Sequence, residues 1–384
     1  MSLADVIRAS KTRRTALVNA RIEVRGRRVL LVYLFPGLGD NVLLLPVLES
    51  LFEQEPSLVG VLARSAGKRV LARYGRKVRV HELPEILTDP TLKDATHRAD
   101  DVAPRNRRAK QKAESALTLE LEREGYDVAV DLTMRREVDA RGWVRRSGAV
   151  DRVGLTLLGE SAEEAGLVAS VLDERHAPIQ HWSRHIIAGL GPLGLREPRY
   201  EVPLSIPRRA TVWARAAYGE KVSEADRTQG GGRPSTSATD RRRVLLVPGS
   251  KYSEKKWAIE SWRSMAETLR EDESTSYVIT GAPFEAKAMR AFGKHLGAKV
   301  YTGADLGILM ALVAEADLVI GNDTGPMHFA YLLGRPAITL FLHMSPTVWG
   351  PPRPSSNFVT LEGAPTEARV VAEARRILAG LKAG

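Results

Sequence analysis

Three times along this chain an unbroken apolar run stops at small residues and turns straight into a helix-spaced segment. The first run is 28–35, followed by the turn Pro36-Gly-Leu-Gly39 and apolar residues at helical spacing over 42–51. The second is 244–247, with the turn Pro248-Gly-Ser250 and a helix over 259–270. The third is 317–320, with the turn Gly321-Asn-Asp-Thr-Gly-Pro326 and a helix running to Gly334. A run without polar alternation is a strand covered on both faces, and such strands belong to parallel sheets flanked by helices. The intervening segments keep the alternation. Strands are predicted at 58–62, 78–80, 127–132, 276–280, 299–301 and 337–341, with helices at 4–19, 117–125, 181–193, 283–296, 306–314 and 367–381. The expected class is α/β, built as two Rossmann-like doubly wound domains.

The alternation lapses between these halves. Residues 197–207 read as extended and proline-marked, a helix is expected over 210–218, and 228–239 is rich in Gly, Ser and Thr. The expected division is an N-terminal domain over 1–200, a connection over 201–243 and a C-terminal domain over 244–384. In open parallel sheets ligands sit beyond the carboxyl ends of the strands.

Bulk properties remove several function classes. There is no cysteine, which excludes disulfides, thiolate metal sites and a cysteine nucleophile and fits a cytoplasmic protein. No apolar run reaches the roughly 20 residues that span a bilayer, and residues 1–28 lack the apolar centre of a signal peptide. The net charge of +11 suits an anionic partner, or reflects an arginine-rich surface with no such role. Its basic pairs, among them Arg13-Arg14, Arg27-Arg28 and Arg135-Arg136, are not interleaved with aromatics, so no nucleic-acid partner is expected. The G-x-G-x-x-G fingerprint, the P-loop and the G-x-S-x-G elbow are missing, as is metal-ligand spacing of His, Asp and Glu.

The candidate site residues lie at the three turns and one more. Asp40 is read either as a helix N-cap or as a carboxylate that takes a proton from a hydroxyl, the cap being favoured by sequence alone. Ser250, with Lys251, Lys255 and Lys256, is either a solvated loop or a hydroxyl and ammonium set for a diphosphate. Glu285 is a favourable first-turn acid or an acceptor for ribose hydroxyls. Asp323, Thr324, Gly325 and His328 share one helix terminus. There the unpaired N–H groups and the helix dipole favour a phosphate, and function is the preferred reading.

Together these segments resemble glycosyltransferase family 9, the ADP-heptose heptosyltransferases of lipopolysaccharide core synthesis. The resemblance rests on Gly39-Asp-Asn-Val-Leu-Leu-Leu-Pro46, on Pro248-Gly-Ser250 with Lys255-Lys-Trp257, on Gly281-Ala-Pro-Phe-Glu285, and on Gly321 through His328. It implies a GT-B fold and an inverting, metal-independent transfer without a cofactor. Asp40 would be the general base and Lys255 the cation for the leaving diphosphate. Ser250, Glu285, Asp323, Thr324, Gly325 and His328 would hold the donor. The implied partners are a nucleotide-diphosphate sugar, ADP-heptose, and an anionic glycolipid acceptor at the inner face of the cell membrane. Arg13, Arg14, Arg27 and Arg28 are expected to help hold the enzyme near anionic lipid or a phosphorylated acceptor. Pro36-Gly37, Ala258 and Leu342-His343-Met344 depart from the family pattern, and the last run bears on sugar choice. The alternatives are the same fold acting on another nucleotide sugar or a secondary-metabolite acceptor, and a non-catalytic nucleotide-sugar binding protein.

Overall fold

The computed structural model describes residues 21–88, 104–133, 139–156, 166–172, 180–220, 241–272, 275–303 and 305–381. The expected helix over 4–19, Arg13, Arg14, Arg135, Arg136 and the stretch 228–239 lie outside the described residues. The chain divides into two compact units, Met1–Val202 and Pro203–Gly384.

The first unit holds six strands, β1 (Arg28–Tyr33), β2 (Leu58–Ala63), β3 (Arg79–Glu82), β4 (Val128–Asp131), β5 (Asp151–Thr156) and β6 (Ala169–Leu172). They form one sheet in the order β3-β2-β1-β4-β5-β6, with every pairing parallel. Its helices are α1 (Leu38–Phe52), α2 (Ser65–Leu71), α3 (Pro104–Glu124), α4 (Ala140–Arg146) and α5 (Trp182–Ala188). β1 is central, and Val29 through Tyr33 are fully buried, which is why the run has no polar alternation. The helix expected over 181–193 ends at Ala188, and a separate 3-10 turn follows at Gly191–Leu193.

The second unit repeats the plan with β7 (Arg242–Val247), β8 (Thr275–Thr280), β9 (Lys299–Tyr301), β10 (Leu318–Asn322), β11 (Ala337–Phe341) and β12 (Phe358–Glu362). The order is β12-β11-β10-β7-β8-β9, again all parallel. Its helices are α6 (Arg208–Ala217), α7 (Ile259–Asp272), α8 (Ala286–Leu296), α9 (Leu306–Glu315), α10 (Gly325–Leu332), the short α11 (Pro346–Trp349) and α12 (Glu367–Gly380). Trp262 of α7 is fully buried, with Trp257 edge-on at 5.4 Å, in a core that includes Val370, Ala374 and Leu378 of α12.

In both sheets the strand order therefore reverses beside the first strand, between β1 and β4 and between β7 and β10. Each half is a Rossmann-like unit, as the expected GT-B fold requires.

Residues 203–220, expected within a connection, pack as part of the second unit. Tyr218 is buried and its hydroxyl donates to Leu312 O at 2.9 Å. A charged girdle closes the same edge. Arg215 pairs with Glu315 at 2.9 Å, and Arg243 reaches Glu220 at 2.9 Å, Asp317 at 3.1 Å and Glu315 at 3.3 Å.

Candidate donor and acceptor sites

In the second unit the turns after β7, β8 and β10 converge at the carboxyl edge of the sheet. Asn322, the last residue of β10, is fully buried. Its side-chain amide donates to Pro248 O at 2.7 Å, and its Oδ1 accepts the Trp257 N–H at 3.3 Å. This residue, which sequence reasoning passed over, holds the end of β10 to the turn after β7 and to the entry of α7. Glu285 joins the turns after β7 and β8. One carboxylate oxygen accepts the Ser250 N–H at 2.9 Å, the other accepts the Ala282 N–H at 3.0 Å, and Lys256 lies 3.4 Å away. A Cβ at position 249 would collide with the Glu285 carboxylate, so any side chain there would have to displace that carboxylate from its N–H donors. Ser250 is buried, and its hydroxyl accepts the Tyr252 N–H at 3.2 Å.

Lys255 and Asp323 meet in this bracket, with Nζ and Oδ2 2.8 Å apart. Burial raises the Asp323 carboxyl above its ordinary range, against the lowering pull of Lys255. Desolvation therefore outweighs the ion pair, as it does for many buried charges. Thr324 occupies the N-cap position of α10, but its side chain does not cap the helix and donates instead to Asn322 O at 3.1 Å. By contrast α9 and α12 carry side-chain caps from Asp305 and Thr366. The amino end of α10 thus keeps its positive pole uncapped, with Gly325 and Pro326 in its first turn. His328 lies one turn in. Burial, reinforced by Lys255, lowers its pKa to about 3, so the ring is neutral at pH 7. Its Nδ1 is buried without a hydrogen-bond partner among the described residues, an uncompensated polar atom beside an uncapped helix end. Ser250, Lys255, Glu285, Asp323 and Thr324 thus lie at neighbouring strand ends of one sheet, with Gly325 and His328 in the helix that follows β10.

Asp40 lies in the first unit. α1 begins at Leu38 and its N-cap position is Gly37, so Asp40 is the third helical residue and does not occupy the cap. Its carboxylate folds back toward the turn, where a Cβ at position 37 would collide with Oδ2. Asn41 pins the turn by donating to Phe35 O at 3.0 Å and Gly37 O at 2.7 Å. Tyr33 OH donates to Asp40 O at 2.9 Å. Arg27 and Arg28 are occupied within this unit, Arg27 with Asp151 at 2.7 Å and Arg28 with Glu124 at 3.2 Å. No helix among the described residues is long and apolar enough to cross a membrane.

Residues 116–375, well over half of the chain, match the family model described as glycosyltransferase family 9 (heptosyltransferase). The chain belongs to this family. As a family-9 glycosyltransferase it is an enzyme whose two Rossmann-like units have counterparts in solved relatives. The glycosyl transferase family 9 protein of Veillonella parvula superposes with a TM-score of 0.72 at 18% identity, covering 94% of this chain and 100% of that one. The E. coli ADP-heptose lps heptosyltransferase II gives 0.66 at 16% identity, covering 92% and 99%. E. coli heptosyltransferase WaaC, solved with ADP, gives 0.64 at 17% identity, covering 91% and 99%. In sequence, the chain is 25% identical over 126 residues to the lipopolysaccharide core heptosyltransferase OpsX of Haemophilus influenzae. That match spans 32% of this chain and about a third (36%) of the relative's length.

Proposed function

We propose that this glycosyltransferase moves a heptose from ADP-heptose to an anionic glycolipid of the lipopolysaccharide core, with inversion at the sugar. The observation that carries this reading is the Lys255–Asp323 pair beside the uncapped amino end of α10 and the unpartnered Nδ1 of neutral His328. Such a place supplies a cation, helix N–H groups and a neutral imidazole to a diphosphate. The solved relatives that bind ADP and ADP-2-deoxy-2-fluoro heptose support the choice of donor.

In the proposed reaction Asp40 takes the proton from the attacking acceptor hydroxyl. The hydroxyl oxygen bonds to the anomeric carbon as the bond from that carbon to the β-phosphate oxygen breaks. ADP departs with the electron pair. Its growing charge is met by Lys255 and the amino end of α10, so protein groups do the work a divalent ion does elsewhere. Ser250, Glu285, Asp323, Thr324, Gly325 and His328 hold the donor.

The test is Asp40→Ala assayed with ADP-heptose and lipopolysaccharide truncated before its first heptose. Turnover should fall by about two to four orders of magnitude while ADP affinity is kept. A wild-type protein that binds ADP-heptose but never turns it over, with any acceptor, is instead a binding protein. The run Leu342-His343-Met344 after β11 motivates including other nucleotide sugars, with thermal stabilisation as the readout.

A further inference from the structure

The reaction as drawn leaves unused a second carboxyl group in the first unit. Asp131 is the last residue of β4 and pairs in register with Val32 of β1, the strand that leads to Asp40. It stands where the strand order reverses, the place at which open α/β sheets take their ligands. Its Oδ1 accepts the Thr133 N–H at 2.8 Å, and among the described residues this is its one hydrogen-bond donor. Thr133 is itself fixed, its hydroxyl donating to Val32 O at 3.1 Å and accepting the Leu34 N–H at 3.2 Å. Across the sheet, a Cβ on Gly154 of β5 would lie 3.5 Å from the Asp131 Cβ. Burial lifts the carboxyl to about 6, against lowering by the Thr133 hydrogen bond and Arg141 of α4, and with a small upward push from Asp139.

Two buried carboxylates among the described residues are better compensated. Glu285 has two N–H donors and a lysine, and Glu49 has the Tyr74 hydroxyl at 2.6 Å and Arg76 at 2.8 Å. Asp131 is half-buried, with one backbone donor, the Arg141 charge nearby and no second hydrogen bond among the described residues. A half-buried carboxyl at the point where the strand order reverses, held by a single hydrogen bond, is the pattern of a group kept for a ligand.

Resting on the function proposed above, we propose that Asp131 binds the acceptor, its second oxygen accepting a hydrogen bond from a sugar hydroxyl neighbouring the one that attacks. A carboxylate takes O–H donors and repels phosphate. The portion of the acceptor over the end of β4 is therefore an uncharged polyol, and the negative groups of the acceptor are held elsewhere.

The full-length enzyme and its Asp131→Asn variant would be compared for binding of lipopolysaccharide truncated before its first heptose, without donor, from pH 5 to 8. The amide keeps the shape of the side chain and can still accept the Thr133 N–H. Loss of a charged hydrogen bond should weaken binding by about tenfold or more. Wild-type affinity should fall below pH of about 6, and the variant should lose that dependence. ADP affinity, measured by calorimetry, should stay the same in both. Equal lipopolysaccharide binding, no binding by the wild type, or a parallel loss of ADP affinity would each overturn the assignment. Retained lipopolysaccharide binding without turnover of ADP-heptose sinks the donor choice alone and leaves Asp131 in its role.

Discussion

Lys255 Nζ and Asp323 Oδ2 are 2.8 Å apart, joining the turn after β7 to the turn after β10 in an ion pair of which the Asp323 side chain is only 5% exposed. The two residues are 68 positions apart in sequence, so the contact exists only because β7 and β10 are neighbours. An incoming diphosphate would compete with Asp323 for the same ammonium.

Lys255→Ala should therefore act twice. It strands a buried carboxylate, which costs about 3–5 kcal/mol of stability, and it removes the cation that a diphosphate needs. The double variant Lys255→Ala/Asp323→Asn should recover much of the stability yet bind ADP no better than the single one. Urea unfolding together with calorimetric ADP titration separates the two effects. Recovery of ADP binding in the double variant would show that the lysine serves only its partner.

His328 gives a signed pH dependence. Its folded pKa of about 3 lies below the ordinary imidazole value of 6.5, so the folded chain holds fewer protons than the unfolded one between these limits. Its contribution is complete above pH of about 6.5 and is lost as the pH falls toward about 3. His328→Gln should flatten the acid side of the stability profile, measured by chemical denaturation between pH 7 and 4. Profiles of equal slope would contradict the burial of a neutral ring.

Gly249→Ala tests the bracket formed by Glu285. The added methyl collides with the carboxylate that accepts the Ser250 and Ala282 N–H groups. Displacing it leaves two amides short of an acceptor, a loss of roughly 1–3 kcal/mol for each that stays buried. ADP affinity should drop along with the melting temperature, while a Gly→Ala change at the exposed Gly380 does neither. Unchanged ADP affinity in Gly249→Ala would detach this bracket from the donor site.

Asp131→Asn should stabilise the enzyme at neutral pH. The folded chain disfavours the carboxylate form by roughly 1–2 kcal/mol once partial solvent access is allowed for. Because its folded pKa of about 6 lies above the ordinary Asp value, the wild type loses stability as pH rises from about 4 through about 6. The gain in the variant should grow across that window and vanish near pH 4. A variant less stable than wild type at pH 7 would mean that the carboxylate is a structural anchor.

The central strands were legible because both faces are covered. β1, β7, β10 and β11 are apolar almost throughout, and their turns stood out by contrast. β12 was missed because it is a half-exposed edge strand, and β5 because Asp151, Arg152 and Gly154 break its apolar signal. α3 begins at Pro104, well before the expected residue 117, since its first half is charged and lacks an apolar stripe. Thr324 and His328 could be grouped from one local segment. The grip of Glu285 on Ser250, the bracket of Asn322 and the environment of Asp131 could not, because each joins residues brought together only by the sheet. The cap that sequence alone favoured for Asp40 falls instead at Gly37, because the helix already starts at Leu38 and is capped by no side chain.

The girdle of Arg215, Glu220, Arg243, Glu315 and Asp317 decides where the chain can be cut. A recombinant half starting at residue 244 would forfeit both arginines and Glu220 and strand two acids, Glu315 and Asp317, on a bare flank. One starting at Pro203 carries its own clasp.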